Sequence, residues 1–505
     1  MALRRDAQPI GDAMRWTVEQ VAAALGVRAP SGLDPLARLA GVSIDSRTVR
    51  PGELFFAIRG PRHDGHGFVA EVLAAGAAAG VVAQDRWREY PEALRTRLFA
   101  VDDTLVSLQR LAREVCRAWR RGRTGRRLAA VTGSAGKTTT KEILAALLAA
   151  RFRVLKSEGN LNNEYGLPLT LFRLEEEHDA AVVELGMSRR GELKRLAEIA
   201  EPDLGVVTNV APVHLEFFSS IEEIALAKRE LIEGLAGPRP VAVLNADDAR
   251  VARFGEVLLP GGRAITYGLA SQAMFRAENL EERGAEGSAF DFVAPGGRTR
   301  LTLPLAGRHN VQNALAALAA ASEWGIGGAE AREILAALRA APMRGEVLRF
   351  EEGFTVIHDA YNSNPLALEH MVDLLAATPD YRRRILAAGE MRELGPSSTE
   401  LHRRAGEYAA RKRIDWIFGV SGAAEELVRG AVAAGHPGAQ TQFFASADDA
   451  AKFLAGFVCS GDVLLVKGSR GVRMEAIVEA LRARHAPKRS GTGQPPVPAG
   501  NHGQN

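Results

Sequence analysis

The segment Leu128–Thr138, with the sequence LAAVTGSAGKT, passes from an apolar strand candidate through a glycine-rich loop into a helical pattern. At such a helix start, exposed backbone N–H groups and the helix dipole favour a bound phosphate. The glycines let the backbone approach the phosphates, Lys137 supplies a positive charge, and the Thr138 hydroxyl can ligate Mg²⁺. The general phosphate-loop pattern begins with a glycine where this chain has Val131, so the loop is a shortened variant. It predicts ATP binding, with a plain glycine turn as the alternative.

Strand candidates alternate with helical patterns on both sides of this loop, which predicts an α/β fold with a mainly parallel sheet. The central strand candidates are Leu128–Thr132, Ala180–Leu185, Leu204–Thr208 and Val241–Leu244. The helical patterns are Thr138–Ala150, Gly191–Ala200, Ile221–Leu235, Asn310–Ala321 and Ala329–Ala340. The stretch Ala273–Leu303 alternates polar and apolar residues between glycines, so we expect a β-rich insertion there.

A chain of 505 residues is too long for one ordinary hydrophobic core, so we expect about three domains. We place them at residues 1–125, 126–341 and 342–487, followed by a Pro/Gly-rich tail at 488–505 that we expect to be disordered. The outer strand candidates are Leu54–Ile58, Ala78–Val82 and Leu98–Val101 in the first domain, and Phe354–His358, Arg384–Ala388, Trp416–Gly419 and Val463–Val466 in the third. The basic run Arg117–Arg127 is interpreted as a solvated linker rather than a patch for nucleic acid or lipid.

Composition excludes several classes of protein. Apolar residues at 46% and charged residues at 25% are typical of a globular chain rather than a disordered or fibrous one. The 64 basic and 61 acidic residues leave a net charge of +3, too little for the dense positive surface of a nucleic-acid binder. Two distant cysteines argue against a disulfide framework or a zinc site, and we find neither a signal peptide nor a membrane span. We therefore expect a cytoplasmic protein without membrane insertion.

An acidic and an imidazole side chain follow two of the central strand candidates. Glu184 ends the strand Ala180–Leu185, and His214 comes shortly after Leu204–Thr208. Ligands gather at the carboxyl ends of parallel strands, so both side chains could converge on a metal at the loop. Mg²⁺ prefers oxygen ligands, which suits Glu184 and makes His214 unusual. The alternatives are a solvated strand end and a polar turn histidine.

A series of motifs follows the loop in a characteristic order. They are TGSAGKTTTKE at the loop itself, GNLNNEYGLPLTL at Gly159–Leu171, ELGMSRRGE at Glu184–Glu192, TNVAPVHLE at Thr208–Glu216, AKREL at Ala227–Leu231, GRHNVQNALAA at Gly307–Ala317, DAYNSNP at Asp359–Pro365 and KGSRG at Lys467–Gly471. In identity and order they resemble the Mur ligase family of peptidoglycan synthesis. The resemblance implies a small α/β uridine-nucleotide-binding domain, a central ATP-binding domain and a C-terminal Rossmann-like α/β domain.

The resemblance also implies roles for individual residues. The ATP phosphates would be held by Gly133, Ser134, Ala135, Gly136, Lys137, Thr138 and Thr139. Magnesium would be ligated by Thr138, Glu184, His214 and a carbamylated Lys228, with Lys137, Lys228 and His214 as the candidate catalytic residues. From the residues alone, Lys228 is only a lysine on an amphipathic helix, where most lysines are surface charges. Carbamylation would convert it into the oxygen-bearing anion that Mg²⁺ prefers.

Three further residues match family positions that contact the nucleotide. Asn310 resembles an asparagine on the adenine side of ATP, with a simple N-cap as the alternative. Arg344 and Asp359 match an inter-domain arginine and a third-domain aspartate that reach the nucleotide after domain closure. His66, His309 and His402 have no assigned role, and we expect them to be structural.

The sequence DSRTVRPGELFFAIRG at Asp45–Gly60, followed by HDGHGF at His63–Phe68, resembles the family's uridine-nucleotide-binding module. Ser46 and Arg47 are the candidates for the diphosphate, because a turn backbone and a guanidinium suit that group. The alternative is a surface turn with an incidental arginine. Candidates for the muramoyl-peptide, which could instead cap turns, are Asn160, Asn162 and Asn163.

Features within the family select the substrates. The pattern NxNNExGxPLT, the sequence YNSNP, and GEMRELG followed by His402 are similar to the member that joins D-alanyl-D-alanine to UDP-N-acetylmuramoyl-tripeptide. The resemblance therefore implies an ATP- and Mg²⁺-dependent, ADP-forming amide ligase that acts through an acyl phosphate, and we expect a monomer. The alternatives are a diamino-acid-adding Mur ligase, a folylpolyglutamate synthetase-like ligase, and a non-catalytic ATP-responsive binding module.

Overall fold

The computed structural model describes residues 16–60 and 63–488. The predicted disordered tail at 488–505 lies outside these residues except for Lys488. The described residues form two compact units, which divide between Leu338 and Arg339, except that Arg283–Glu286 belong to the second unit. Within the described residues the strands form three sheets, which confirms the α/β class and the mainly parallel central sheet. No helix in these ranges has the length and apolar character needed to cross a bilayer.

The first sheet of the first unit has the strand order β1-β2-β3-β4, with every neighbouring pair parallel. Its strands are β1 (Gly41–Ser43), β2 (Glu53–Phe56), β3 (Ala79–Ala83) and β4 (Leu98–Val101). Its helices are α1 (Val18–Leu25), α2 (Val69–Ala74), α3 (Gln84–Trp87), α4 (Glu92–Arg95) and α5 (Thr104–Gly122). The three predicted strands of this region are confirmed, and the short β1 was missed.

The prediction of a solvated linker at Arg117–Arg127 is wrong, because the first half of that run completes α5. The Arg117 guanidinium lies 2.6 Å from the Glu201 carboxylate, and Arg120 lies 2.8 Å from Asp203. These acidic partners stand more than eighty residues further along the chain. The basic run therefore carries the polar face of a helix whose opposite face is buried in the core.

The second sheet has the order β13-β12-β11-β10-β9-β8-β5-β7-β6. Its strands are β5 (Arg127–Thr132), β6 (Val154–Lys156), β7 (Ala180–Glu184), β8 (Leu204–Val207), β9 (Val241–Asn245), β10 (Arg263–Gly268), β11 (Phe275–Glu282), β12 (Ser288–Ala294) and β13 (Gly297–Leu303). Its helices are α6 (Lys137–Leu148), α7 (Gly166–Leu171), α8 (Glu192–Ala200), α9 (Ile221–Glu233), α10 (Arg308–Ser322) and α11 (Gly328–Ala336). The last three strands pair antiparallel, which confirms the predicted β-rich insertion.

The sheet of the second unit has the order β14-β15-β19-β16-β17-β18, parallel except for the edge strand β14. Its strands are β14 (Glu346–Arg349), β15 (Thr355–Asp359), β16 (Arg383–Gly389), β17 (Trp416–Val420), β18 (Thr441–Phe444) and β19 (Asp462–Lys467). Its helices are α12 (Pro365–Ala377), α13 (Ser398–Arg411), α14 (Ala424–Ala433), α15 (Ala447–Phe457) and α16 (Glu475–Arg484). The last strand lies between β15 and β16, and its register sets Lys467 directly beside Asp359.

Candidate active site

The glycine loop connects β5 to α6 in a conformation that side chains would not permit. Gly133 has φ 149°, and a Cβ there would lie 1.8 Å from the Thr208 hydroxyl oxygen. Gly136 has φ 83°, and its Cβ would lie 2.2 Å from the Asn313 side-chain oxygen. Both glycines are therefore required by close approach as well as by positive φ.

The loop is braced by the segment that follows β8. The Ser134 backbone N–H donates to the Asn209 carbonyl at 3.0 Å, and the Ala135 N–H donates to the Asn209 side-chain oxygen at 2.9 Å. The Thr208 hydroxyl donates to the Ala135 carbonyl at 2.6 Å. These bonds brace the loop against the segment that follows β8. Asn209 was not predicted, although it lies inside the quoted TNVAPVHLE motif.

Lys137 is the first residue of α6, and its ammonium donates to the Gly133 carbonyl at 2.8 Å. The lysine therefore folds back over the loop that it follows. A cation in this place, at the start of a helix, is suited to the outer phosphates of a nucleotide.

Glu184 ends β7 and is 3% exposed. The Thr138 hydroxyl donates to its Oε2 at 2.7 Å, and the Asn162 amide donates to its Oε1 at 2.8 Å. The carboxylate is thus held by two neutral donors, with its negative charge not cancelled by either. The hydroxyl and carboxylate oxygens of Thr138 and Glu184 are the donor type that Mg²⁺ prefers, so these two residues fit a magnesium ion.

Lys228 lies on α9 and is 2% exposed, although its position on an amphipathic helix suggested a surface charge. Among the residues that the structure describes, none accepts a hydrogen bond from its Nζ. Burial first, and the charge of Lys137 second, hold the pKa of Lys228 well below its ordinary value. An unmodified lysine would not ligate Mg²⁺, whereas a carbamate at this position would supply oxygen.

His214 lies on the loop between β8 and α9, half-buried, with a left-handed backbone at φ 56°. Thr208 and Asn209, which lie earlier in this segment between β8 and α9, bond the phosphate loop. Within residues 16–60 and 63–488, no group of three or more His, Cys, Asp and Glu side chains is arranged to hold a metal ion. The proposed metal set therefore depends on Thr138 and Lys228 in addition to Glu184, and the role of His214 stays a prediction.

Asn310 is buried on α10, whose N-cap is Gly307, so the simple N-cap alternative is wrong. Its side-chain amide donates to the Ala306 carbonyl at 2.8 Å and its oxygen accepts from Asn313 at 3.0 Å. Asn313 in turn accepts from the Thr140 hydroxyl of α6 at 3.4 Å. This chain of amides ties the start of α10 to the helix that follows the phosphate loop.

In the second unit, the Asp359 carboxylate accepts a hydrogen bond from the Lys467 ammonium at 2.5 Å. The same ammonium donates to the Asn362 carbonyl at 3.0 Å. The guanidinium carbon of Arg344 lies 3.9 Å from the ring centroid of Tyr361, a cation–π contact. Lys467 was quoted only as part of a motif, and its pairing with Asp359 follows from strand register.

The predicted substrate residues differ in exposure and bonding. Arg47 is exposed, and its guanidinium binds the Asp45 carboxylate at 2.6 and 2.9 Å, which lowers the pKa of Asp45. Ser46 beside it is half-buried, Asn160 is exposed, and the Asn163 side-chain oxygen accepts from the backbone N–H of Gly166 at 2.9 Å. The Asn163 side chain therefore bonds the turn that leads into α7.

Two of the histidines without an assigned role are buried and accept hydrogen bonds from the backbone, and their structural role stays a prediction. His66 is buried and its Nε2 accepts from the Ala83 N–H at 2.9 Å. His402 is buried and its Nε2 accepts from the Met391 N–H at 2.8 Å. The ring of His309 packs over Gly307, where a Cβ would lie 2.6 Å from it.

Comparison with known families covers most of the chain. Residues 38–115 match the model described as Mur ligase family, catalytic domain; residues 131–321 match the Mur ligase middle domain; and residues 343–470 match the Mur ligase, glutamate ligase domain. The chain belongs to the Mur ligase family and is an ATP-dependent ligase.

Within that family, the chain is similar to enzymes of one name. It is 33% identical to the UDP-N-acetylmuramoyl-tripeptide–D-alanyl-D-alanine ligase of Bacillus subtilis, covering 87% of this chain and 93% of the relative. The enzyme of that name from Escherichia coli is 35% identical, covering 88% and 94%. A crystal structure of MurF from Acinetobacter baumannii aligns with TM-score 0.82 and 28% identity over 93% of this chain and 99% of that one. MurF ligase from Thermotoga maritima in complex with ADP aligns with TM-score 0.76 and 30% identity over 88% and 97%.

Proposed function

We propose that this chain joins D-alanyl-D-alanine to UDP-N-acetylmuramoyl-tripeptide through an acyl phosphate, with conversion of ATP to ADP. The observation that carries the proposal is the phosphate loop bonded through Thr138 to the buried Glu184 carboxylate, on a chain 33% and 35% identical to ligases of that name. Localisation in the cytoplasm and a monomeric state remain predictions.

In the first step, a carboxylate oxygen of the tripeptide attacks the γ-phosphorus of ATP, and the bond to the β–γ bridging oxygen breaks to release ADP. The loop backbone and the Lys137 ammonium hold the phosphates and offset the charge that accumulates on the transferring group. A magnesium ion bound at Thr138 and Glu184 would add further charge neutralisation. Asn162 keeps the Glu184 carboxylate in one orientation through its 2.8 Å bond.

In the second step, the amine nitrogen of D-alanyl-D-alanine attacks the acyl carbon. The carbon–oxygen bond to phosphate breaks, inorganic phosphate leaves, and the amine nitrogen loses a proton as the amide forms. Water must be excluded until the amine arrives, because it would hydrolyse the acyl phosphate.

Carbamylation of Lys228 belongs to this proposal. A neutral lysine amine adds to carbon dioxide, forming a nitrogen–carbon bond and releasing one proton, so the side chain ends in a carboxylate. The support is that Lys228 is buried, feels the positive charge of Lys137, and has no acceptor among the described residues. A carbamate there would place a negative charge near the Lys137 ammonium and provide an oxygen ligand for Mg²⁺.

The remaining predicted contacts are also proposals. Arg344 and Asp359 would contact ATP, with Asn310 on the adenine side. Ser46 and Arg47 would contact the uridine diphosphate, and the muramoyl-peptide would be contacted by Asn160, Asn162 and Asn163.

The test is a product assay with purified protein, ATP, Mg²⁺, UDP-N-acetylmuramoyl-tripeptide and one of three amines. D-alanyl-D-alanine should give a product whose mass equals the sum of the two substrates less one water, with one phosphate released per product. A diamino acid tested with the UDP-muramoyl-dipeptide, or glutamate with a folate acceptor, should give none. Nucleotide binding with no product from any combination would favour the ATP-responsive binding module and sink the ligase proposal.

A further inference from the structure

A second buried lysine lies one turn beyond the phosphate loop. Lys141 is on α6 and is 1% exposed. Its ammonium donates to the Ser157 carbonyl at 2.6 Å and lies 2.9 Å from the Glu142 carboxylate. Burial of an ammonium is costly unless its donors are bonded, so these two partners define where α6 and the end of β6 must meet.

Ser157 accepts that hydrogen bond from Lys141 and is itself hydrogen-bonded to β7. It directly follows β6, is 1% exposed, and its hydroxyl oxygen accepts from the backbone N–H of Glu184 at 3.1 Å. Its own N–H donates to the Val182 carbonyl at 3.1 Å. The backbone of Glu184 is therefore fixed by the residue that Lys141 holds.

Ser157 also begins the segment that leads to Asn162. Five residues on, the Asn162 amide donates to one oxygen of Glu184, while the Thr138 hydroxyl of α6 donates to the other. Lys141 and Thr138 thus lie one turn apart on α6, one bonded to the backbone at the start of this segment and one to the carboxylate. Movement of Ser157 would displace the Glu184 backbone and the Asn162 donor together.

We propose that Lys141 is a positioning residue, which holds Ser157 so that Glu184 and Asn162 keep the geometry of the magnesium and substrate site. This rests on the proposed function for the identity of the ligand at Glu184. It predicts an effect on metal-dependent binding that is separate from overall folding, since partners behind a metal ligand typically affect metal affinity strongly.

The experiment compares wild type with Lys141→Met and with Lys156→Met. Lys156 pairs with the same Glu142 carboxylate but is exposed and does not bond Ser157, so it controls for loss of charge around Glu142. ADP binding is measured by calorimetry with and without Mg²⁺, and hydrogen exchange is followed in peptides covering residues 157–163.

Lys141→Met should weaken Mg²⁺-dependent ADP binding by about tenfold or more, leave Mg²⁺-free binding unchanged, and speed exchange in residues 157–163. Lys156→Met should change none of these. The proposal is overturned if Lys141→Met matches wild type in Mg²⁺-dependent binding, or if it weakens binding equally with and without Mg²⁺. It is also overturned if Lys156→Met reproduces the effects.

If Lys141→Met does not fold, Ser157→Ala carries the same measurements, because it removes the hydroxyl acceptor of the Glu184 N–H and leaves the backbone carbonyl in place. It should weaken Mg²⁺-dependent ADP binding selectively, and unchanged binding would overturn the proposal. None of these measurements needs the muramoyl substrate or the dipeptide. A wild-type protein that makes no amide would therefore sink the proposed function without deciding the role of Lys141.

Discussion

Two lysines, one in each unit, are equally buried and differently partnered. Lys228 and Lys467 are both 2% exposed. Lys467 gives hydrogen bonds to the Asp359 carboxylate at 2.5 Å and to the Asn362 carbonyl at 3.0 Å. Lys228 has no acceptor among the described residues, and the positive charge of Lys137 adds to burial in lowering its pKa.

This difference in hydrogen-bond partners suits the two buried amines to different roles. The two hydrogen bonds of Lys467 compensate for its lost hydration and fix Asp359 at the end of β15. Lys228 lacks that compensation, and burial favours its neutral form, which is the form that reacts as a nucleophile. We therefore expect removal of Lys228 to affect chemistry and removal of Lys467 to affect stability.

The largest expected effect is that of Lys228→Met on catalysis. Loss of a charged ligand at the transferring phosphoryl group should lower kcat/KM for product formation by about 10²–10³-fold. The thermal midpoint should be no lower than that of wild type, because no hydrogen bond is lost. Enzyme assays and thermal denaturation measure the two effects, with the exposed Lys194→Met as the matched control. A large fall in the midpoint would give Lys228 the structural role assigned here to Lys467.

Labelled carbon dioxide tests carbamylation of Lys228 directly. Wild-type protein exchanged into ¹³C-bicarbonate should show one carbamate resonance that is absent from Lys228→Met and present in Lys194→Met. A wild-type spectrum without that resonance would refute carbamylation, whatever the activities of the variants.

Lys467→Met comes next in size, and unlike Lys228→Met it should lower local stability. It leaves Asp359 without its ammonium partner, which should lower the opening free energy of β15 by about 2 kcal/mol, an amount limited by the residual hydration of that carboxylate. Hydrogen exchange of the β15 peptide measures the loss. The exposed pair of Lys412 and Asp373 in the same unit is the control, since Lys412→Met should change local stability by less than about 0.5 kcal/mol. Equal effects in the two variants would show that burial adds nothing to the Lys467 pair.

The same comparison can be made between two carboxylates. Neutral side-chain donors bond Glu184, whereas an ammonium bonds Asp359. Asn162→Ala should raise the Mg²⁺ concentration for half-maximal activity by about tenfold, because the carboxylate loses one of its two orienting bonds. Asn163→Ala, assayed at saturating UDP-substrate because Asn163 is itself a proposed substrate contact, is the matched control, since its side-chain oxygen accepts from the Gly166 N–H at the start of α7. Activity titrated against Mg²⁺ tests this, and identical curves for Asn162→Ala and wild type would contradict it.

Features of the fold and the site could be predicted from the sequence when the residues that cause them are close together in the chain. The phosphate loop was predicted because strand, glycines and helix are contiguous, and Glu184 was found because it ends a strand candidate. The burial of Lys228 depends on packing against distant segments, so its helix suggested only a surface charge, and the family resemblance alone indicated its importance.

The errors have the same origin. The end of α5 looked like a solvated linker because its acidic partners, Glu201 and Asp203, lie more than eighty residues away. Lys467 was not singled out because its contact with Asp359 is made by strand order, with β19 inserted between β15 and β16. Composition and periodicity contain no signal for a pairing of that kind.

The smallest expected effect concerns Arg47, whose pair with Asp45 is strong in geometry but exposed to solvent. Arg47→Met should leave overall stability close to that of wild type, because water solvates both partners once they separate. If Arg47 contacts the uridine diphosphate, the KM of the UDP-substrate should rise by about fivefold, a modest amount because the guanidinium must share its donors with Asp45. Arg86→Met, which breaks the comparable exposed pair with Glu89, should leave that KM unchanged. Steady-state kinetics on the two variants test whether Arg47 contacts the uridine diphosphate. An equal KM of the UDP-substrate for both variants would mean that Arg47 is only a surface turn residue.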